Sequence, residues 1–100
     1  MTAPPRTLTP HTLTPHTLTI VYFAWVREAV GHDEEQVDRP APGATVADLV
    51  AMLAARGGGY AQALGDPARL RAAIDQRFAP LDSPIGDARE VALFPPVTGG

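Results

Sequence analysis

The spacing of apolar residues divides the chain into two parts. In the first part, residues 7–19 repeat Thr-Leu-Thr-Pro-His twice and begin it a third time, with no large apolar side chain other than Leu. Because such a segment cannot bury a core, residues 1–17 are predicted to form a flexible, disordered extension. The second part opens with the β-branched and aromatic run 18–25, which predicts a first strand.

The clearest helical pattern follows Thr45. Apolar side chains recur there at the i, i+3, i+4 and i+7 spacing of one buried helix face. They are Val46, Leu49, Val50 and Leu53. Thr45 and Asp48 stand at the two positions of a capping box, so the helix is predicted to begin between them. The glycine run 57–59 is predicted to end it, with Gly57 as a left-handed cap.

Shorter segments fill the rest of the chain. Helical turns are predicted at 26–30, ended by Gly31, and at 60–64, and strands are predicted at 34–39, 70–75, 78–81 and 90–94. This order, ββαβ(β)β with one dominant helix, predicts an α+β fold in which a mixed sheet wraps around one main helix. That is the β-grasp arrangement. It is predicted to occupy residues 18–94 and to lead into an extended tail, 95–100.

Composition excludes several classes of function. The 100 residues carry a formal net charge of -3, and they contain Arg but neither Lys nor Cys. An acidic chain offers no basic surface to nucleic acid, and no apolar run approaches the ~20 residues that cross a bilayer. Without Cys there is no disulfide framework, no zinc-finger spacing and no thiol nucleophile. Because no secretory signal is recognisable, the expected compartment is the cytoplasm.

The histidines are weak candidates for chemistry. His11 and His16 lie in the repeat, where two imidazoles lack the further ligands that zinc normally takes. His32 is expected in a solvated loop rather than in the role of a catalytic base. The sequence therefore predicts neither a metal site nor a permanently bound cofactor.

The most informative motif is the ending Phe94-Pro95-Pro96-Val97-Thr98-Gly99-Gly100. The two prolines fix φ and keep the tail extended where it leaves the last strand, which lowers the entropy lost on insertion into a partner. Gly99 and Gly100 have no Cβ, so nucleotides and other backbones can approach them closely. Such a terminus predicts a carboxylate on Gly100 that is activated inside a narrow active site.

Two segments resemble a known family. Residues 22–28, Tyr-Phe-Ala-Trp-Val-Arg-Glu, are similar to the opening of the small subunits of molybdopterin synthase, which are ubiquitin-like sulfur carriers. Residues 90–100, Glu-Val-Ala-Leu-Phe-Pro-Pro-Val-Thr-Gly-Gly, match the ending of that family almost residue for residue. The chain departs from the family pattern at the Thr-Pro-His repeat, at Trp25 and at Leu93.

The resemblance implies a protein substrate rather than a conventional enzyme. In the family, an E1-like adenylyltransferase uses ATP to adenylate the terminal carboxylate, here that of Gly100, and a sulfur donor protein converts it to a thiocarboxylate. The tail then enters the large catalytic subunit, where its sulfur passes to cyclic pyranopterin monophosphate. Two such deliveries build the dithiolene of molybdopterin. The small subunit is the non-catalytic sulfur donor in this scheme.

The resemblance also implies contacts with these partners. The expected contacts along the tail are Phe94, Pro95, Pro96, Val97 and Thr98. Phe23 is expected at the same interface, although strand alternation alone leaves a core position equally open for Phe23 and Phe94. Arg27 aligns with an Arg of the family, so we expect it to pair with an acidic group on a partner.

Three alternatives remain open. A carrier of the same fold could serve the synthesis of thiamin, cysteine or a tungsten-type cofactor. A ubiquitin-like modifier would conjugate through Gly100 to lysines of other proteins, although the absence of Lys argues against chains made of this protein alone. A passive binding module would keep its function without Gly99 and Gly100.

Overall fold

Five strands, three α-helices and one short 3-10 helix make up the computed structural model, which describes residues 16–96. The strands are β1 (Thr17–Tyr22), β2 (Glu34–Asp38), β3 (Arg71–Ile74), β4 (Arg77–Ala79) and β5 (Glu90–Phe94). The α-helices are α1 (Ala24–Val30), α2 (Val46–Ala54) and α3 (Gly58–Leu64), and the 3-10 helix spans Pro67–Arg69. Residues 1–15 of the predicted extension lie outside the described part of the chain.

The strands form one mixed sheet in the order β2-β1-β5-β3-β4. Its central strands, β1 and β5, run parallel, and the register places Tyr22 opposite Leu93. The other neighbouring pairs are antiparallel. The buried residues of α2 join those of the sheet in one core. The predicted β-grasp arrangement, a mixed sheet wrapped around one main helix, is therefore confirmed.

The predicted start of α2 is also confirmed. The Thr45 N–H donates to Asp48 Oδ2 at 2.9 Å, and the Asp48 N–H donates to Thr45 Oγ1 at 3.2 Å, which completes a capping box. Two further N–H groups of the first turn donate to a neighbouring loop, from Val46 to Ser83 O at 3.0 Å and from Ala47 to Leu81 O at 2.7 Å. These bonds satisfy backbone donors that a helix leaves without internal partners.

The predicted first strand is too long at its C-terminal end. β1 ends at Tyr22, and Ala24 and Trp25 belong to α1. The chain changes direction at Ala24, whose φ of 56° is incompatible with a strand. The Phe23 N–H still donates to Leu93 O at 3.2 Å, so the turn into α1 begins directly after the last bond to β5. The predicted end of α1 at Gly31 is confirmed, with a φ of 91°.

The prediction for the glycine run was wrong. α2 ends at Ala54, and Gly58 opens α3 instead of closing the preceding helix. Gly57, with φ 80° and ψ -170°, is the N-cap of α3 rather than a left-handed C-cap. Gly59 is required by packing, because a Cβ at this position would lie 1.8 Å from Ala29 O of α1. The two helices therefore meet backbone to backbone at Gly59.

The strands at the C-terminal end follow the prediction closely. β5 has the predicted bounds, whereas β3 ends one residue before the predicted range 70–75 does, because Asp75 and Gln76 form a turn with φ values of 49° and 72°. β4 is displaced from the predicted range 78–81, since it ends before Pro80, which cannot donate a ladder hydrogen bond. Asp75 Oδ1 accepts from the backbone N–H groups of Arg89 at 2.9 Å and Glu90 at 3.0 Å, which fixes the start of β5.

One hydrophobic core joins the inner face of the sheet to the helices. Its largest fully buried side chains are Leu18, Ile20, Tyr22, Val26, Val46, Leu49, Val50, Leu53, Leu64, Leu70, Val91 and Leu93. Each such side chain contributes about 1.5–3 kcal/mol through burial. Within residues 16–96 no charged side chain is buried in this core. None of the helices in that range is long and apolar enough to cross a membrane.

Gly59→Ala is expected to destabilise the fold, because the added Cβ would overlap the Ala29 carbonyl oxygen and force α1 and α3 apart. We expect the free energy of unfolding to fall by about 2 kcal/mol, as for overpacked core positions. Urea unfolding followed by circular dichroism measures the change. Gln62→Ala, at an exposed position of the same helix, is the control and should change the stability by less than about 0.5 kcal/mol. Equal stability of the two variants would contradict the close approach.

Candidate partner-docking site

The predicted functional tail leaves the sheet at the end of its central strand β5. Pro95 and Pro96 continue from Phe94, and all three side chains are partly exposed. The remaining predicted tail residues, Val97, Thr98, Gly99 and Gly100, lie outside the described residues. The site that can be described is therefore the surface surrounding the point where the tail leaves the sheet.

Three phenylalanines form an aromatic cluster at this point: Phe23, Phe78 and Phe94. The ring of Phe94 lies 6.5 Å from that of Phe23 and 5.7 Å from that of Phe78, measured between centroids. Phe23 is 48% exposed and Phe78 is 84% exposed. Large apolar side chains grouped on a surface mark a site of interaction more often than isolated ones do. The structure places Phe23 and Phe94 at the surface, which excludes the core position that strand alternation had left open.

Phe78 was not among the predicted site residues. It pairs with Ala73 across the turn between β3 and β4, so its side chain lies on the same face of the sheet as Ala73. A two-residue turn at Asp75 and Gln76 fixes the register of the two flanking strands. The sequence therefore contained a signal for the position of Phe78, provided that the face occupied by Ala73 had been known.

The outer face of the sheet beside the cluster consists of small and aliphatic side chains. One row of cross-strand neighbours crosses all five strands of the sheet. In order it contains Glu34, Val21, Ala92, Ala73 and Phe78. Side chains on such a row share one face of the sheet. The row has an acid at one end and an aromatic ring at the other, and between them Val21 is partly exposed while Ala92 and Ala73 are buried.

Arg27 lies near the cluster, one helical turn after Phe23. Its Nε is 3.8 Å from Asp33 Oδ1, and both side chains are exposed. An exposed ion pair of this kind contributes little to stability. Arg27 can therefore leave Asp33 and pair with a carboxylate on a partner with little loss of free energy.

The two histidines within residues 16–96 do not belong to a metal site. His32 is exposed beside Gly31, and His16 is exposed at the start of the described residues, whereas His11 lies outside them. Between residues 16 and 96, no three His, Asp or Glu side chains are grouped so that they could hold a metal ion.

A polar cluster that the sequence analysis missed stabilises the end of β1 on the inner side of the sheet. Glu35 accepts hydrogen bonds from Tyr22 at 2.8 Å, from Tyr60 at 2.6 Å and from Arg56 at 2.9 Å. The Arg56 guanidinium also lies over the Tyr60 ring, 4.9 Å from its centroid. These bonds tie β1 and β2 to Arg56, which lies between α2 and α3, and to Tyr60 in α3. Glu35 lies two residues before buried Val37 on β2, so both side chains face the inner side of the sheet. Glu35 could therefore have been identified as an inward-facing acid that needs hydrogen-bond partners.

The protonation of the cluster follows from these contacts. Burial acts to raise the pKa of Glu35, but the hydrogen bonds from Tyr60, Arg56 and Tyr22 together outweigh burial and lower that pKa below its ordinary value. Burial, followed by the hydrogen bond to Glu35, raises the pKa values of Tyr22 and Tyr60. The carboxylate is therefore ionised and both phenols are neutral at pH 7, which is the pattern of a structural anchor.

Comparison with known proteins identifies a family match over most of the chain. The ThiS family model matches residues 20–100. The molybdopterin synthase sulfur carrier subunit of Escherichia coli is 44% identical over 81 residues, which cover 81% of this chain and 96% of that protein. The subunit of the same name from Haemophilus influenzae is 39% identical with the same coverage. Among solved structures, small archaeal modifier protein 1 of Haloferax volcanii matches with a TM-score of 0.56 and 26% identity, covering 83% of this chain and 100% of that one.

Glu35→Gln is expected to lower the free energy of unfolding by about 1–2 kcal/mol at neutral pH, because Arg56 loses its charged partner and one amide cannot replace all the accepted bonds. Urea unfolding at a series of pH values measures the effect. Glu34→Gln is the control, since Glu34 is exposed on the same strand, and it should change the stability by less than about 0.5 kcal/mol.

The difference between wild type and Glu35→Gln should depend on pH with a definite sign. Because folding lowers the pKa of Glu35, the stabilisation is present above the unfolded-state pKa of about 4.3 and is lost as the pH falls through the folded-state pKa. The two proteins should therefore converge in stability in acid. A difference that stayed constant as Glu35 became protonated would show that the carboxylate charge is not the source of the stabilisation.

Proposed function

The chain belongs to the ThiS family, and from that membership we propose that it is the sulfur carrier subunit of a molybdopterin synthase. The observation that carries the proposal is that the family match extends to Gly100, so the Gly-Gly ending lies inside the matched region. The relatives at 44% and 39% identity bear this name. The aromatic cluster beside the tail supports it, because a carrier must dock on its partners while its tail is engaged.

The proposed chemistry begins at the carboxylate of Gly100. An E1-like adenylyltransferase brings ATP, the carboxylate oxygen bonds to the α-phosphorus, and pyrophosphate leaves. The product is a mixed anhydride with AMP as a good leaving group, whereas a free carboxylate resists nucleophiles. A donor protein then supplies sulfur as hydrosulfide, which bonds to the carbonyl carbon as AMP leaves and releases its proton to solvent, and a thiocarboxylate results. Gly99 and Gly100 suit this step, since neither obstructs access to the reacting carbon.

In the second half of the proposed cycle the thiocarboxylate enters the large catalytic subunit. Its sulfur displaces an oxygen substituent at a carbon of cyclic pyranopterin monophosphate, and hydrolysis of the acyl-sulfur bond then leaves the sulfur on that carbon and returns the Gly100 carboxylate. Two such deliveries supply the two sulfurs of the molybdopterin dithiolene. The large subunit supplies the acid and base groups in this scheme, and the present chain is its non-catalytic sulfur donor.

Docking on the large subunit is assigned in this proposal to the aromatic cluster. Around the start of the tail, Phe23 and Phe78 present exposed rings and Phe94 a partly exposed one, and aromatic anchors commonly supply most of the binding energy of an interface. Pro95 and Pro96 hold the tail extended so that Val97 and Thr98 follow it into the partner. Arg27 lies at the edge of this surface, where it would meet an acidic group.

A second candidate function is conjugation to other proteins through Gly100. It is favoured by the structural match to small archaeal modifier protein 1, whose name describes a modifier. A modifier would form an amide bond with a lysine of its target, so its products resist thiols. The two functions share the adenylation step and differ in what attacks the activated carbonyl.

Intact mass spectrometry of the protein isolated from its own cells under mild conditions tests the proposal. We expect a C-terminal fragment heavier than its sequence by the replacement of one oxygen with sulfur. A variant lacking Gly100 should remain unmodified and should fail to support molybdopterin formation. An unmodified terminus in wild type, together with thiol-resistant adducts on lysines of other proteins, would instead establish the modifier function.

Phe78→Ala is expected to weaken binding to the large subunit about tenfold or more, as expected for an aromatic anchor near the centre of an interface. Phe94→Ala should act in the same direction. Isothermal titration calorimetry with the purified large subunit measures both. Met52→Ala is the control, because Met52 is also an exposed apolar side chain but lies on α2, away from the aromatic cluster. Unchanged affinity of Phe78→Ala with a folded chain would remove Phe78 from the interface.

A further inference from the structure

Charge is distributed unevenly on the outer face of the sheet. The chain as a whole is acidic, with a formal net charge of -3. On the outer face, however, the side chain next to Phe94 on β3 is Arg71, while the acid Glu34 occupies the far end of the cross-strand row, on β2. The aromatic cluster therefore has a cation on its β3 side, and the opposite edge of the sheet carries an anion.

Arg71 is placed beside the aromatic cluster by the register of the sheet. It pairs with Phe94 across β3 and β5, so both side chains lie on the outer face. Together with Phe78 and Phe94, Arg71 lines a shallow groove that Ala79 and Pro80 complete at the edge of the sheet. The groove is thus lined by two aromatic rings that pack against each other and by Arg71.

The geometry of Arg71 suits recognition of a carboxylate. Its Nη1 donates to the carbonyl oxygen of Leu70 at 2.8 Å, which holds the guanidinium close to its own strand. A guanidinium has five N–H donors in a planar fork that matches a carboxylate, and this internal bond uses one of them. The side chain is exposed, so a partner can reach it.

From this arrangement we propose that the large subunit presents a carboxylate to Arg71, next to an apolar side chain that lies in the groove and packs against the paired rings of Phe78 and Phe94. Arg71 thereby fixes the orientation in which the two subunits dock. The inference rests on the proposed function, since it concerns the partner that receives the tail. An apolar surface attracts without direction, whereas charges at its edge fix the register and accelerate encounter.

An acidic protein surface fits the site better than a nucleic acid does. The acidic chain as a whole repels a polyanion, and Glu34 stands on the same face of the sheet as the groove. A localised carboxylate beside an apolar side chain avoids this repulsion, and the apolar side chain can pack on the two aromatic rings as well. The outer face carries a negative charge at Glu34 on β2 and a positive charge at Arg71 on β3. This distribution favours a partner surface that is acidic opposite β3 and less acidic opposite β2.

Arg71→Gln tests the inference through the rate of association with the purified large subunit from the same organism, measured by stopped-flow fluorescence at several salt concentrations. We expect association to slow about three- to tenfold at low ionic strength, and the difference to shrink as salt screens the charges. Arg89→Gln is the matched control, because Arg89 is exposed at the start of β5, the end opposite to Phe94. It should associate at the wild-type rate.

Arg71→Lys separates charge from shape. Lys keeps the charge, so association should stay near the wild-type rate, whereas loss of the planar fork should speed dissociation. Equal rates for wild type and Arg71→Gln, or equal slowing by Arg89→Gln, would overturn the inference while leaving the proposed function intact. Absence of any binding by wild type would overturn the proposed function and the inference together.

Discussion

The parallel pairing of β1 with β5 is the constraint on which the rest of the structure depends. Because the two strands run in the same direction, their C-terminal ends lie next to each other, and the turn into α1 and the start of the tail emerge side by side. The bond from the Phe23 N–H to Leu93 O closes this pairing, and it places Phe23 next to Phe94. Residues separated by most of the folded chain are thereby combined into one surface.

Much of the fold could be predicted because its signals are local. The Thr45 and Asp48 capping box, the apolar face of α2 and the bounds of β5 depend on neighbours within a few residues. The prediction failed at Ala24 and Gly57, where the conformation depends on distant contacts. The residue types in the run 18–25 do not show where the strand ends. Its end is set by the last hydrogen bond to β5, which the Phe23 N–H donates. Similarly, a glycine run can end a helix or open one, and the contact of Gly59 with Ala29 decides the matter.

The residues of the candidate site also fall into those that local motifs predict and those that depend on distant contacts. Phe23 and Phe94 could be proposed from motifs, although their exposure could not. Phe78 reaches the cluster only through the hairpin register, and the partners of Glu35 are up to 25 positions away in sequence. The positions of Phe78 and Arg71 relative to Phe94 depend on sheet order, which no periodicity in the sequence contains. Local patterns therefore identified the strand and tail that carry the site, and the sheet determined which side chains surround them.

A surface that is apolar enough to bind a partner must also avoid binding its own copies. Phe78 lies on a short edge strand, and an exposed edge with an exposed aromatic side chain favours association between identical chains. Arg77 and Arg71 bracket this edge, so two copies meeting through it would bring these like charges close together. An acidic partner faces no such repulsion. The cations that attract an acidic partner in the proposed docking thus also disfavour self-association, which allows the aromatic cluster to remain exposed.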